Sequence, residues 1–462
     1  MPLTGTGKIQ KSALRAMHGT TGAPAKAIEE KTCSTGELWR VGWKELGPLR
    51  SVTASSDAHW LVVTLLQHEA VGSLLAEFRS LLGETERLTV LHSTAAGSPP
   101  TIEECELAMQ GAQMTEVVLL VAAETPLDFS TSALPVQTAF NACKALSSCG
   151  LDSTLRIVTV GAQPVDDESH ALSKFEAHAL FAWARSYARE VKSPVQCVDL
   201  CPHASTAQQA QMWMSALRHD PATTGEEVAI RRFRLLGPRL GPLRLPSGDD
   251  SGPSTRLQPD KSYVVTGALG GVGCHVIRWM LQCGARHLVL ITRSQSTVEK
   301  RASMLDELRA SEPSARLDVH VLDVGDGHAV QQLLGKVAND VAPIDGIFHL
   351  AGGLGDGFVR DIDWARCEKV IGGKVDGAMH LHQASIDLDL QLTHFVLFSS
   401  VYALLGYAQL THYAAANAAL EGLALHRRAS GLPAIAIQWG LWHDEHSMAP
   451  QSAGCVPHCM SP

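Results

Sequence analysis

A glycine-rich segment between a short apolar run and a helical pattern limits the choice of fold more than any other part of this chain. Residues 263–273 read YVVTGALGGVG, with glycines in a G-x-x-x-G-x-G spacing. Glycine at such a turn lets the backbone approach a pyrophosphate, and the N-terminus of the next helix (Cys274–Cys283) offers free N–H groups. Tight turns without a ligand use the same residues, but here strand, turn and helix occur in the required order. The segment predicts a dinucleotide site made by Thr266, Gly267, Leu269, Gly270, Gly271, Val272 and Gly273.

Strand-like apolar runs alternate with helical segments on both sides of a linker, Arg244–Leu257, which is rich in Pro, Gly, Ser and Asp. The runs before the linker are Trp60–Leu65, Leu88–Leu91, Val117–Ala122, Arg156–Val160 and Val195–Leu200. The runs after it are Ser262–Thr266, His287–Thr292, Arg316–Leu322, Gly346–Leu350, Phe395–Ser399 and Ala434–Trp439. This alternation predicts an α/β fold with two Rossmann-like, doubly wound parallel sheets.

Composition and charge argue against several classes of protein. Of 462 residues, 45% are hydrophobic and the formal net charge is −9, so we expect binding neither to nucleic acid nor to a membrane surface. No run of apolar residues is long enough for a transmembrane helix. The eleven scattered cysteines favour free thiols in the cytoplasm. Cys455 and Cys459 lack a second ligand pair, so no metal is expected. The basic first 28 residues leave a plastid transit peptide as an alternative.

The ends of the later strands carry further cofactor signals. Arg293 follows the second strand, where an acidic residue would bind ribose hydroxyls and an arginine suits a 2′-phosphate. Arg293 therefore favours NADPH, and an ordinary surface arginine is the alternative. Asp323 and Val324 close the third strand, where a side chain can reach the adenine. Small residues at the end of the fourth strand would let the backbone pass beneath the nicotinamide ribose: Ala351, Gly352 and Gly353.

Hydride transfer to a carbonyl carbon requires a proton donor for the oxygen, and four residues have suitable chemistry. Tyr413 and Asn417 are four residues apart on one predicted helix face, and Ser400 ends the preceding strand. Lys374 is predicted at the start of another helical stretch. A tyrosine has a pKa of about 10, which a nearby ammonium would lower. Each residue alone fits packing, capping or surface exposure, but together they predict a catalytic group.

At these residues the chain resembles the short-chain dehydrogenases and, within them, the ketoreductase domain of modular polyketide synthases and related fatty-acid synthases. The resemblance covers roughly residues 36–448 and includes YVVTGALGGVG, GIFHLAGG, GKVDGAMHLH, HFVLFSSVYALLG and YAAANAAL. Most short-chain dehydrogenases carry lysine four residues after the tyrosine, whereas this family has asparagine there and takes lysine from an earlier helix. The resemblance implies that Tyr413 is the acid, Ser400 holds the ketone oxygen, Lys374 tunes Tyr413 and Asn417 orders a proton relay.

The resemblance also implies that the chain has a structural and a catalytic subdomain, and it indicates a stereochemical class. Residues 36–243 are similar to the family's structural subdomain, a degenerate dinucleotide fold without a cofactor site, and residues 258–448 to its catalytic, NADPH-binding subdomain. One class of these domains, associated with D-configured alcohols, carries Leu-Asp-Asp, of which Asp356 keeps the second acid while Gly355 departs from the pattern. The opposite class carries tryptophan where this chain has Leu405.

The chain ends point to a fragment of a larger synthase gene. Residues 1–15 resemble the last motif of adenylate-forming enzymes, so we assign residues 1–35 to an extension of that kind, which explains the basic charge better than a transit peptide. Residues 449–462 are expected to be an unstructured tail. The resemblance implies NADPH-dependent reduction of a β-ketoacyl thioester on an acyl carrier protein, beside neighbouring synthase domains. Reduction of an α-ketoacyl group in an adenylation–ketoreductase synthetase and a non-catalytic scaffold stay open as alternatives.

Overall fold

The computed structural model describes residues 39–48, 58–64, 69–92, 98–110, 116–121, 133–151, 153–165, 175–217, 226–242 and 257–440. The chain divides into two compact units. The smaller one, residues 1–39 and 242–244, lies almost wholly outside the described residues. The larger one, residues 40–241 and 245–462, contains the helices and the body of both sheets. The predicted extension at 1–35, the tail at 449–462 and the Cys455–Cys459 pair are outside the described residues.

The first half of the chain forms a sheet with eight described strands in the order β1-β8-β7-β6-β5-β4-β2-β3. Its strands are β1 (Trp39–Pro48), β2 (His59–Thr64), β3 (Arg87–His92), β4 (Glu116–Val121), β5 (Thr154–Val160), β6 (Val195–Leu200), β7 (Glu227–Arg231) and β8 (Arg234–Pro242). Its described helices are α1 (Glu69–Ser80), α2 (Ile102–Gln110), α3 (Leu134–Cys149), α4 (Phe175–Tyr187) and α5 (Thr206–Leu217). Strands β2 to β7 pair in parallel and β8 returns antiparallel to β7.

The second half forms a sheet whose six described strands pair in parallel, in the order β11-β10-β9-β12-β13-β14. The strands are β9 (Ser262–Thr266), β10 (His287–Thr292), β11 (Arg316–Val321), β12 (Ile344–His349), β13 (His394–Ser400) and β14 (Ile435–Trp439). The helices are α6 (Gly271–Gln282), α7 (Gln295–Lys300), α8 (Ala302–Ser311), α9 (Gly327–Asp340), α10 (Trp364–Ile371), α11 (Gly377–Asp387), α12 (Val401–Leu405) and α13 (Thr411–Ala429). This is the 3-2-1-4-5-6 strand order of dinucleotide-binding folds, with the chain reversal beside β9.

The predicted α/β class with parallel sheets is confirmed, and each predicted apolar run lies on a strand. Two local predictions were wrong. The helix after the glycine-rich turn begins at Gly271 rather than Cys274. Lys374 does not start a helix: it lies in a π-helical turn, Gly372–Asp376, that continues α10 and runs directly into α11. A π-turn has no distinctive apolar period, so the sequence pattern did not reveal it.

Helices α4 and α13 pack against each other and join the two halves of the larger unit. Alanines line their contact, among them Ala182 on α4 and Ala414 and Ala418 on α13, each at most 1% exposed. Small side chains let the two helix axes approach closely. Because α13 also carries Tyr413, the first half supports the helix that holds the predicted proton donor.

A buried ion pair braces the first sheet. Asp199, fully buried at the end of β6, accepts hydrogen bonds from the Arg231 guanidinium at 2.5 Å, the Thr159 hydroxyl at 2.6 Å and the Ala162 amide at 2.8 Å. Thr159 and Ala162 lie at the end of β5, and Arg231 lies on β7. A buried carboxylate is tolerated only when it is paired and hydrogen-bonded in this way. The ion pair therefore fixes the strand ends of the first sheet relative to one another.

Among the described residues no helix is long and apolar enough to cross a membrane. The described histidine, cysteine and acidic residues form no cluster of three or more that could hold a metal ion. No disulfide links the described cysteines.

Candidate active site

The glycine-rich turn after β9 is built so closely that side chains would not fit. Gly267 has φ +65°, and a Cβ there would lie 2.8 Å from the Ala351 amide nitrogen at the end of β12. A Cβ on Gly273 would lie 2.2 Å from the Ala268 carbonyl oxygen. Gly270 is the N-cap residue of α6 and makes no side-chain hydrogen bond, so no capping side chain occupies the N-terminus of this helix. The turn thus leaves a helix N-terminus available to an anion.

The carboxyl ends of the second sheet open into a cleft of about 840 Å³ that begins at this turn. Most of the predicted site residues line it: Gly267, Gly270, Gly271, Val272, Gly273, Arg293, Asp323, Val324, Ala351, Gly352, Gly353, Asp356, Lys374, Ser400 and Tyr413. Four do not. Leu269 is buried in the core beside the turn, and Leu405 is exposed at the end of α12. Thr266 and Asn417 lie fully buried beneath the cleft.

Arg293 lies at the turn end of the cleft, directly after β10, with an exposed side chain. It has no ion pair or hydrogen bond among the described residues, so its charge is available to a ligand. Val324 is buried after β11 and packs against Gly377, where a Cβ would lie 2.6 Å from the Val324 methyl group. The Asp323 carboxylate accepts a hydrogen bond from the Gly325 amide at 3.0 Å.

Tyr413 lies in the first turn of α13, and its side chain reaches the other end of the cleft. Burial raises the pKa of its hydroxyl, and interactions with the side chains of Asn417 and Ser400 only partly oppose that effect. This corrects the expectation of a lowered pKa, because the loss of hydration outweighs every favourable partner. The Asn417 amide group donates to the Tyr413 carbonyl at 2.7 Å, and its Oδ1 has no hydrogen-bond partner in the part of the chain that the structure describes.

Lys374 projects from the π-helical turn toward Tyr413. Its Nζ lies 5.7 Å from the centre of the Tyr413 ring and donates to the Phe398 carbonyl at 2.9 Å. Lys374 is 4% exposed, and burial lowers its pKa to about 8. Its side chain passes over Gly352, where a Cβ would lie 2.9 Å from the lysine Cε. Gly352 therefore provides the space through which Lys374 reaches the cleft.

His349, at the end of β12, holds the backbone that carries Lys374. The Thr266 hydroxyl contacts His349 Nδ1 at 2.8 Å, and His349 Nε2 contacts the Lys374 carbonyl at 2.9 Å. Burial and the nearby Lys374 lower the histidine pKa to about 3, so the ring is neutral. A neutral ring that accepts the threonine proton at Nδ1 donates from Nε2, which fits both partners. His349 lies within the motif GIFHLAGG, which did not by itself predict this role. A polar histidine within an apolar strand is the feature of the sequence that indicates a buried, hydrogen-bonded side chain.

The outer wall of the cleft comes from two loops. Gly355 has φ +57°, and a Cβ there would lie 2.7 Å from a Val370 methyl group. An aspartate does not fit this backbone, which explains why Gly355 replaces the first aspartate of the Leu-Asp-Asp pattern. Asp356 is exposed, and its Oδ1 lies 3.7 Å from Nη2 of Arg366. The second loop contributes Tyr407 and Gln409, which the sequence analysis missed. Both residues lie in the loop between the end of β13 and the tyrosine helix. Because that loop must border the site, its position in the sequence could have indicated them.

The fold and the site define the class of protein: the chain contains a short-chain dehydrogenase/reductase, an oxidoreductase whose cleft brings a glycine-rich turn, a tyrosine and a lysine together. Residues 261–444 match the family model of the KR domain. This part of the chain belongs to the ketoreductases of polyketide synthases.

Related proteins and structures agree with this assignment. Polyketide synthase GfsA of Streptomyces halstedii is 31% identical over 431 residues, which cover 89% of this chain and 6% of that protein. Phenolphthiocerol synthesis polyketide synthase type I Pks15/1 of Mycobacterium marinum is 33% identical over 309 residues, 65% of this chain and 14% of that protein. The chain therefore spans a small part of these relatives. The similar proteins come from bacteria and fungi, which gives the plastid alternative no support.

An A1-type ketoreductase has a similar structure, with a TM-score of 0.71 and 28% identity over 88% of this chain and 83% of that one. A-type ketoreductases from a modular polyketide synthase give the same TM-score and identity. The structure of adenylation, ketoreductase and pseudo Asub domains from a keto acid-selecting NRPS module has a TM-score of 0.73, covering 93% of this chain and 38% of that one. Its identity is 19%, so it shares the fold alone.

Proposed function

We propose that this chain reduces a β-ketoacyl thioester, carried on an acyl carrier protein, to the β-hydroxyacyl thioester with NADPH as the reductant. The observation that carries the proposal is the convergence of Tyr413, Ser400 and Lys374 on one cleft whose other end holds the glycine-rich turn and Arg293. The first group suits a ketone and the second suits a phosphorylated dinucleotide.

A nicotinamide dinucleotide fits the residues that line the cleft. Gly267 and Gly273 allow the tight turn between β9 and α6, and this turn brings the α6 N-terminus to the cleft, where a pyrophosphate would bind. Gly353 has open space where a Cβ would be. We assign Arg293 to the 2′-phosphate that distinguishes NADPH from NADH, and Asp323 and Val324 to the adenine. When bound, the cofactor supplies the hydride that reaches the ketone carbon.

We assign the proton chemistry to the tyrosine end of the cleft. Ser400 holds the ketone oxygen, and the Tyr413 hydroxyl donates its proton to that oxygen as negative charge develops there. The resulting tyrosinate is stabilised by the Lys374 ammonium, whose backbone is held by the neutral His349. We assign to Asn417 the ordering of the relay that returns a proton to Tyr413, because its buried Oδ1 has no hydrogen-bond partner among the described residues. Because burial raises the pKa of the Tyr413 hydroxyl, proton transfer depends on the nearby Lys374 ammonium to stabilise the tyrosinate.

The outer loops and the first half of the chain complete the proposal. Asp356 at the cleft mouth favours the class of ketoreductases that yields D-configured alcohols, with Leu405 exposed where the opposite class has tryptophan. Residues 36–243 act as a structural subdomain that braces α13. The substrate is delivered by an acyl carrier protein among neighbouring synthase domains, because the relatives are polyketide synthases far longer than this chain.

The test is turnover by the purified chain. A decalone and a short β-ketoacyl thioester are each incubated with NADPH or NADH, and cofactor oxidation is followed by fluorescence. We expect reduction of both ketones with a preference for NADPH. Absence of turnover from a folded preparation would favour the non-catalytic scaffold.

A second candidate reaction, reduction of an α-ketoacyl thioester, is favoured by the adenylate-forming motif at residues 1–15. The same assay distinguishes the two reactions when matched α-keto and β-keto thioesters of equal length are compared. A higher kcat/KM for the α-keto compound would move the assignment to an adenylation–ketoreductase synthetase.

A further inference from the structure

The last turn of helix α4 and the segment that follows it contact the end of α12 and the loop that leads from it into the tyrosine helix. Arg185 Nη1 donates to the Ala403 carbonyl at 2.6 Å, and Arg189 Nη2 donates to the Leu405 carbonyl at 2.8 Å. The Ser186 hydroxyl accepts from the Tyr407 amide at 3.2 Å. These bonds use backbone groups of residues 403–407, so they act on the course of the loop rather than on one side chain.

Glu190 ends this series and contacts both outer loops at once. One carboxylate oxygen accepts from the Gln409 amide at 2.9 Å, and the other accepts from the Val359 amide at 2.9 Å. The two loops also contact each other directly, since the Gly357 amide donates to the Gln409 carbonyl at 2.9 Å. Glu190 is half-buried, and burial raises the pKa of its carboxyl, an effect that the hydrogen bonds from the two amides only partly oppose.

Of the two residues held by Glu190, Gln409 belongs to the wall of the cleft, and Val359 lies in the loop that contributes two other wall residues. Gln409 has φ +73°, a conformation that a non-glycine residue keeps only when its surroundings enforce it. Gln409 lines the cleft, as do Leu354 and Asp356 of the other loop. Tyr413 lines the same cleft as these residues of the two loops. The separation of the loops therefore decides from which side an acyl chain can approach the tyrosine hydroxyl.

We propose that Glu190 is a positioning residue for the ketone: it fixes the separation of the loops at residues 354–359 and 406–410, and thereby the face of the ketone presented to Tyr413. The proposal rests on the proposed ketone reduction. It places a determinant of product configuration in the first half of the chain, none of whose described residues lines the cleft.

The test is Glu190→Gln, which keeps the shape but replaces one accepting oxygen with an NH₂ group that faces an amide donor. A hydrogen bond to a charged group accounts for about a ten- to hundredfold change in an opening equilibrium. We expect amide hydrogen exchange in peptides covering residues 356–361 and 406–411 to quicken by about tenfold or more. The ratio of the two enantiomeric alcohols from a short β-ketoacyl thioester should fall toward unity, while NADPH affinity stays unchanged.

Two further variants make the test specific. Glu226→Gln removes the same charge from an exposed position in the same half and should alter neither exchange nor product ratio. Arg189→Ala removes an exposed contact and should loosen residues 403–407 more mildly, which keeps the proposal testable if Glu190→Gln does not fold. An unchanged alcohol ratio, or unchanged exchange in both loops, overturns the proposal. Because hydrogen exchange needs no turnover, an inactive wild type would refute the proposed function, and exchange in Glu190→Gln would still decide whether Glu190 holds the two loops.

Discussion

Replacing Tyr413 with phenylalanine separates the chemistry of this site from its packing. Tyr413 is 9% exposed and its ring belongs to the hydrophobic core, so phenylalanine keeps almost all of the buried surface. The lost hydroxyl contacts should change the free energy of unfolding by about 1 kcal/mol or less. General acid catalysis typically contributes about 10²–10⁴-fold, so ketone reduction should slow by that factor. This corresponds to about 3–5 kcal/mol of activation free energy, well above the change in stability.

The assay follows NADPH oxidation with a decalone at saturating cofactor, and urea unfolding of the same preparation gives the stability. Cofactor affinity should barely change, because the phenol lies at the opposite end of the cleft from Arg293. Tyr402→Phe is the matched control, since Tyr402 also lines the cleft and carries a hydroxyl. It should retain turnover within a few fold. If Tyr413→Phe turns over at a rate close to that of the wild type, the assignment of the proton donor is refuted and the fold assignment stands.

Four further predictions concern the cofactor, the lysine, the buried ion pair and the division of the chain. Arg293→Ala should reduce the preference for NADPH over NADH by about ten- to a hundredfold in fluorescence titrations, and equal weakening of both cofactors would contradict its role. Lys374→Met should slow turnover and weaken NADPH binding. Because the folded pKa of Lys374 is about 8 and its ordinary value is 10.5, the unfolded chain holds a proton between these values that the folded chain releases. The urea stability of the wild type should therefore rise relative to Lys374→Met as the pH increases through this range, and a constant difference would argue against the buried lysine. Asp199→Ala should lower the free energy of unfolding by about 3–5 kcal/mol because it leaves a buried guanidinium without its carboxylate, and a loss below about 1 kcal/mol would contradict that reasoning. Residues 255–462 expressed alone should be insoluble or poorly folded, and a stable, active product would refute a bracing role for the first half.

The strands could be predicted because a parallel strand covered on both faces reads as a nearly continuous apolar run. Ser262–Thr266 and His287–Thr292 lie on strands with the predicted bounds. The position of the site could also be predicted, since ligands bind at the carboxyl ends of strands in such sheets. Tyr413 and Ser400 followed from that rule and from their short separation in the chain.

Features that depend on packing could not be predicted. The pKa of Tyr413 depends on how completely the ring is buried, which no spacing of residues reveals. Glu190 was missed because its two partners are 169 and 219 residues away in the sequence. The need for glycine at position 355 becomes apparent only when the position of the Val370 side chain is known. These are long-range effects, whereas the motifs are local.

The π-helical turn at Gly372–Asp376 limits how far this half of the molecule can be made more rigid. Such a turn accommodates one residue more than a regular helix and has weaker hydrogen-bond geometry. Deleting one residue would let α10 and α11 merge into a regular helix, but it would rotate the segment by about 100° and carry Lys374 away from the cleft. The sequence that best suits the helix is therefore not the sequence that suits the reaction. Variants selected for heat resistance alone should accumulate changes here at the expense of turnover.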